Sequence, residues 1–428
     1  MSEGGLWAVC KIAPFAPCGH AQKIILFKLK TGGANEKQIE NLYYLNFKPM
    51  KLNLLRKIIV CLFLLSTIYN TNGQNVVLSK NARISVLTCG TGNESYSLFG
   101  HTAIRVEDVA NNLDIVYNYG AFDFGTPNFV LKFTKGDLNY FIANDRYVDF
   151  INQYNYEKRE VIEQELNISV AHKQALFDTL EQSLLSDERL YQYKFIDNNC
   201  TSKVVDVINN TLKSEVISKK TDTDKTYRTI LFPYFDNHFY EQLGTSIVFG
   251  TKVDQMGTKI FLPYELLESL KRIQYQNQPL SNAPKTIMTF EKEIPSSWWN
   301  NCYTYLLFLG IVVFVNKKSV DYIYLLTTAL LGLLFVFLGF YSLHHELEYN
   351  YNILLFNPLL LLLLYFWSTK NSKWTYKLAV LNIVMLFLYL IVVITKAHLL
   401  IVLPLVFTNL VVLIRLAIKH KKRIPIII

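Results

Sequence analysis

"FIDNNCTSKVVDVINN", residues 195–210, sets one cysteine between two asparagines and two hydroxyl residues just where a helical repeat begins. Val204, Val205, Ile208 and Leu212 recur at helical spacing, and Asn198, Asn199 and Thr201 are residue types that cap a helix start. Cys200 is therefore expected in the first turn of a helix. There the positive end of the helix dipole and the unpaired backbone N–H groups favour a thiolate, and the same N–H groups can hold an oxyanion. Three readings of the sulfur stay open: a buried small hydrophobe, half of a disulfide, or a nucleophile for acyl transfer.

A nucleophile needs a base, and the stretch offers none. One is found in "SYSLFGHTAIRVED", residues 95–108, where Thr102, Ile104 and Val106 alternate with His101, Ala103 and Arg105. That alternation predicts a strand with His101 and Arg105 on one face. The polar "EDVANNLD" then leads to "IVYNYGAFDF", so the two runs read as a hairpin. If it pairs symmetrically about its turn, Asn118 falls opposite Ala103, on the same face as His101. A cysteine, a histidine and an asparagine to fix the imidazole tautomer complete the Cys-His-Asn logic of papain-like enzymes. The rival pairing is a disulfide from Cys200 to Cys89 of "ISVLTCG", although a packed thiol at a strand end is the plainer reading of Cys89.

Outside this region the chain is of two kinds. Polar sequence runs to about Pro295, with a helix expected over "VAHKQALFDTLEQSLLS" and strands around it. Five apolar stretches follow, from "YTYLLFLGIVVFV" to "LLIVLPLVFTNLVVLI", each near the roughly 20 residues that cross a bilayer. Upstream, "MKLNLLRKIIVCLFLLSTIYNTNGQN" has the three-part layout of a secretory signal peptide. The expected organisation is an upstream extension at 1–49, a signal peptide at 50–73, an exported domain at 74–295 and five transmembrane helices at 296–428. Lys and Arg gather after the first, third and fifth spans, which puts those ends and the C-terminus in the cytoplasm. The formal charge of +9 is explained by that topology, without nucleic acid as a partner.

Several other polar residues invite functional readings. Arg105 could grip a lipid phosphate or form a structural ion pair. His344, His345 and Glu346, between the second and third spans, suggest a polar lid over a lipid pocket that Asn350, Asn352 and Asn357 extend; adjacent histidines point apart, which disfavours a metal.

Histidine before cysteine is the order of circularly permuted papain-like domains of the NlpC and lecithin:retinol acyltransferase type. The words "FGHTAIRV", "YGAFDF", "NNCTS" and "NYNILLFNP" resemble the Lnb-type lipoprotein N-acyltransferases, and the likeness runs from about Val77 to the last spans. That resemblance implies an α+β, permuted papain-like periplasmic domain on a five-helix base in the inner membrane of Gram-negative bacteria. It also implies an enzyme that adds an N-acyl chain to the N-terminal cysteine of diacylglyceryl lipoproteins, with a membrane phospholipid as donor and no cofactor. Cys200, His101 and Asn118 are the catalytic candidates, and Arg105, Asn199, Thr201, His344, Asn350 and Asn352 the substrate-binding ones. A cell-wall peptidase or amidase on the same fold, or an envelope binding protein without activity, are the alternatives.

Overall fold

Apolar residues on both sides of the first two strands call for a sheet covered on both faces, and the computed structural model, which describes residues 76–291 and 297–422, has one. Its strands are β1 (Arg83–Cys89), β2 (His101–Asp108), β3 (Leu113–Ala121), β4 (Asn139–Arg146), β5 (Val161–Glu165), β6 (Leu190–Gln192) and, after a two-residue hairpin β7–β8 (Gln274–Tyr275, Gln278–Pro279), β9 (Lys285–Met288). All neighbours pair antiparallel in the order β6-β4-β3-β2-β1-β5-β9. The upstream extension at 1–49, the signal peptide at 50–73 and the tail from Arg423 lie outside the described residues.

The helices of the soluble domain are α1 (Phe129–Lys135), α2 (Tyr147–Tyr156), α3 (Val170–Leu185), α4 (Cys200–Leu212), α5 (Tyr227–Leu231), α6 (Phe239–Val248) and α7 (Pro263–Leu270). On one face of the sheet, Leu176 and Leu180 of α3, Val204 and Ile208 of α4 and Leu266 of α7 form one core with Ile84, Ile104, Val106 and Tyr117. On the other, Phe150 and Tyr154 of α2 cover Leu87, Cys89, Ala103 and Val116. Each leucine, isoleucine, valine or phenylalanine among them contributes roughly 1.5–3 kcal/mol by leaving water. Their registration on α4 is what sets its first turn beside the start of β2.

The C-terminal part is helical: α8 (Cys302–Val315), α9 (Lys318–Tyr341), α10 (Leu359–Ser368), α11 (Ser372–Val393) and α12 (Leu399–Lys421). Four stretches among the described residues, 318–341, 345–368, 372–393 and 399–421, are long and apolar enough to cross a membrane; α8, with 14 residues, is a shorter fifth. At 1.5 Å per residue α8 falls short of the roughly 30 Å hydrocarbon layer. The third stretch is broken, with 3-10 turns at His345–Leu347 and Tyr351–Leu354 before α10 begins. Residues from Val76 onward pack as one unit. Helix α6 joins the two parts, since Phe239, Leu243 and Ile247 lie against the core of the membrane helices.

Candidate active site

Strand β2 opens at His101, paired across the ladder with Cys89, and Ala103 faces Asn118 of β3, the register expected from the turn. The side chains meet: His101 Nε2 lies 3.2 Å from Asn118 Oδ1. Asn118 Nδ2 donates to Asp145 Oδ2 of β4 at 3.1 Å, which turns the amide carbonyl toward the ring. With the Nε2 proton directed at Asn118, Nδ1 is the ring's free acceptor.

Cys200 is the first residue of α4, as the capping pattern predicts. Asn199 Oδ1 accepts from the N–H groups of Thr201 and Ser202, both at 2.9 Å, and Ser202 Oγ accepts from the Asn199 N–H at 2.8 Å. This reciprocal cap fixes the direction in which the helix leaves the loop. Thr201 Oγ1 then bonds Thr102 Oγ1 at 2.9 Å and pins the first turn to β2. Gly120 of β3 has φ +101°, and a Cβ there would stand 3.7 Å from the Cys200 Cβ. The backbone beside the sulfur thus adopts a conformation that side-chain-bearing residues disfavour.

Cys200 is half-buried and a free thiol, with its sulfur 4.0 Å from Thr201 Oγ1 and under the electrostatic influence of the His101 ring. Burial works against its charge, but the His101 ring, by charge and by hydrogen bond, the Thr102 N–H and the Thr201 hydroxyl outweigh it, so the thiol sits below its ordinary value. Cys89 shows the opposite. It is fully buried, and burial pushes its thiol up to about 12 despite the nearby Arg159. The pairing of Cys89 with Cys200 raised from sequence is absent, since both are free thiols.

Two family models match the chain: the Lnb N-terminal periplasmic domain over residues 71–232 and the Lnb transmembrane domain over residues 296–423, together more than half of its length. The chain belongs to the Lnb family. With the apolar helices, these matches make it a multi-pass membrane protein with a periplasmic α+β domain. No curated protein and no solved structure matches.

Within this Lnb chain, several residues expected to touch substrate are committed elsewhere. The side chain of Asn199 is taken up by the cap and by the carbonyls of Phe195 and Phe261, at 2.8 and 2.7 Å. Thr201 is fully buried against Thr102. Arg105 does not face a lipid phosphate: its guanidinium bonds Asp114 at 2.8 and 2.9 Å, Glu163 at 3.1 Å and Glu107 at 3.2 Å, and stacks on Tyr147 at 3.5 Å. The strand face that alternation assigned to it is roofed by α2.

The polar residues after α9 are a latch and not a pocket wall. His344 Nε2 lies 3.1 Å from the Phe133 carbonyl, and burial holds its ring below the ordinary histidine value. Asn350 Nδ2 donates to the carbonyls of Ile247 and Val248, at 2.9 and 2.8 Å. Asn352 Nδ2 reaches those of Ser246 and Phe249, while its Oδ1 accepts from Tyr389 at 2.8 Å. The C-terminal carbonyls of α6 are thereby satisfied by membrane-side amides.

Sequence reasoning missed Asp145, which orients Asn118, and gave Glu346 only a place in a lid. Glu346 is almost fully buried, and its Oε1 accepts from the Ile196 N–H at 3.0 Å. A membrane-side carboxylate therefore holds the loop that feeds Cys200.

Proposed function

We propose that the protein is a thiol-dependent acyltransferase that adds an N-acyl chain to the N-terminal cysteine of diacylglyceryl lipoproteins, with Cys200 as nucleophile, His101 as base and then acid, and Asn118 as the residue that orients it. The observation that carries this reading is the meeting of a thiol held in favour of its thiolate with an imidazole fixed at its far nitrogen. Family membership supports acyl transfer as the reaction class.

In the first half-reaction the Cys200 thiolate attacks a phospholipid ester carbonyl. The tetrahedral adduct expels the lysophospholipid oxygen, which takes the proton from His101, and an acyl thioester remains. In the second, the lipoprotein α-amine attacks the thioester carbonyl and gives its proton to His101, and the thiolate departs. The amide is the product, and the enzyme returns to its starting protonation. We assign the donor to the membrane phospholipids, the soluble domain to the periplasm, and the C-terminus to the cytoplasm, on the Lys and Arg excess after the first, third and fifth spans.

The test is mass spectrometry of one lipoprotein N-terminus in cells carrying Cys200→Ala or His101→Ala, with membrane insertion checked in parallel. Loss of the third acyl chain in both is expected. Wild-type triacylation in the Cys200→Ala strain would sink the proposal, and altered cell-wall fragments with unchanged lipoproteins would favour the peptidase alternative.

A further inference from the structure

Helix α1 carries an apolar surface that no described residue covers. Val130 is 71% and Leu131 64% exposed, and Phe124 and Phe133 are exposed beside them. Its last carbonyls are bonded to the residues that follow the outer end of α9. Leu343 N–H donates to Lys135 O at 2.7 Å, Ser342 Oγ to Thr134 O at 2.8 Å, and His344 lies against Phe133 O. Helix α9 is a membrane span, and near that end Phe337, Phe340 and Tyr341 are exposed in turn. The apolar face of α1 is thus continuous with a lipid-facing surface, at the level where a span leaves the hydrocarbon layer.

The opposite side of α1 leads inward. Phe129 packs on Phe122, Phe122 on Tyr140 at 5.1 Å between centroids, and Tyr140 stacks on Tyr193 at 4.5 Å. Tyr140 also meets Tyr191, whose hydroxyl is buried without a partner among the described residues and lies 4.0 Å from the place of a Gly120 Cβ, beside Cys200. An unbroken aromatic strip therefore connects the exposed helix to the thiol.

We propose that α1, with Phe124, seats in the outer leaflet of the bilayer and that its aromatic strip guides a phospholipid acyl chain from the membrane to Cys200. The guiding role rests on the acyltransferase reading; the seating does not. Continuity with the lipid-facing side of α9 selects a bilayer as the occupant over a protein partner.

The full chain is reconstituted in vesicles of phosphatidylethanolamine and phosphatidylglycerol with the photo-crosslinker p-benzoylphenylalanine in place of Leu131. A second sample carries it in place of Val109, which is 85% exposed at the far end of β2. After illumination, a phospholipid adduct is expected at position 131 and none at 109. Absence of a lipid adduct at 131, or an adduct to protein there, overturns the seating. In the same vesicles Leu131→Asp is expected to lower N-acylation from phospholipid by roughly tenfold, with Cys200 alkylation by a water-soluble reagent unchanged. Undiminished acylation overturns the guiding role. Should Cys200→Ala still acylate, the acyltransferase reading fails while the adduct still reports on α1.

Discussion

His101→Ala removes the group that most favours the Cys200 thiolate, and its effect can be read without any lipid substrate. The ring supplies both a neighbouring charge and a hydrogen bond to the sulfur. A positive charge beside a thiol favours its ionised form. Its removal therefore moves the Cys200 titration upward, and the thiolate fraction at neutral pH falls. The sign follows from the direction of the shift: a depressed thiol keeps its thiolate down to lower pH, and the variant loses that acidic reach. The assay is iodoacetamide alkylation across pH on the membrane-reconstituted protein, resolved peptide by peptide. Cys89, raised to about 12, should stay unmodified throughout. An alkylation profile for Cys200 that is the same in wild type and His101→Ala would refute the reasoning.

Three further variants probe the relay behind His101 and the ion cluster on the same strand. Asn118→Ala leaves His101 without its acceptor and should lower turnover by on the order of a hundredfold; Asp145→Asn should lower it less and alter its pH profile, and equal activity of both variants with wild type would remove the relay from the mechanism. Arg105→Ala leaves Glu107, Asp114 and Glu163 facing one another and should cost about 3 kcal/mol, seen as a melting temperature about 6–12 °C lower, with the Cys200 alkylation profile retained; an unchanged melting temperature would show that the ion cluster is not structural.

The parts legible in the sequence are those set by local chemistry. The cap at Asn199, the helix from Cys200, the hairpin register that brings Asn118 opposite Ala103, and the helix over Val170–Leu185 all follow from periodicity, capping and turn symmetry within about a dozen residues. What escaped depends on distant chain. Strand β9 joins the sheet 120 residues after its neighbour β5, and helix α2 over "YVDFINQYNY" packs on a sheet face built from strands earlier in the chain. That helix covers Arg105, which explains why a cation on the His101 strand is a structural hub. Asn350 and Asn352 looked like ligand-binding groups because amides in apolar sequence are costly. The carbonyls that satisfy them lie about a hundred positions earlier and were invisible in one dimension.

Gly250 marks a place where the two parts of the molecule approach closely: a Cβ there would stand 1.8 Å from the Glu348 carbonyl, and its own N–H donates to Glu346 O at 2.7 Å. Because Glu346 also holds the Ile196 amide, the helices brace the loop that leads into Cys200 as well as anchoring the domain. A secreted fragment ending at the first span would lose the strut beneath the loop that carries Cys200, so ligand screening and crystallography belong with the intact, detergent-borne or lipid-borne molecule. For the same reason a chimera that swaps periplasmic heads between family members must carry the matching hinge residues from both sides of that seam.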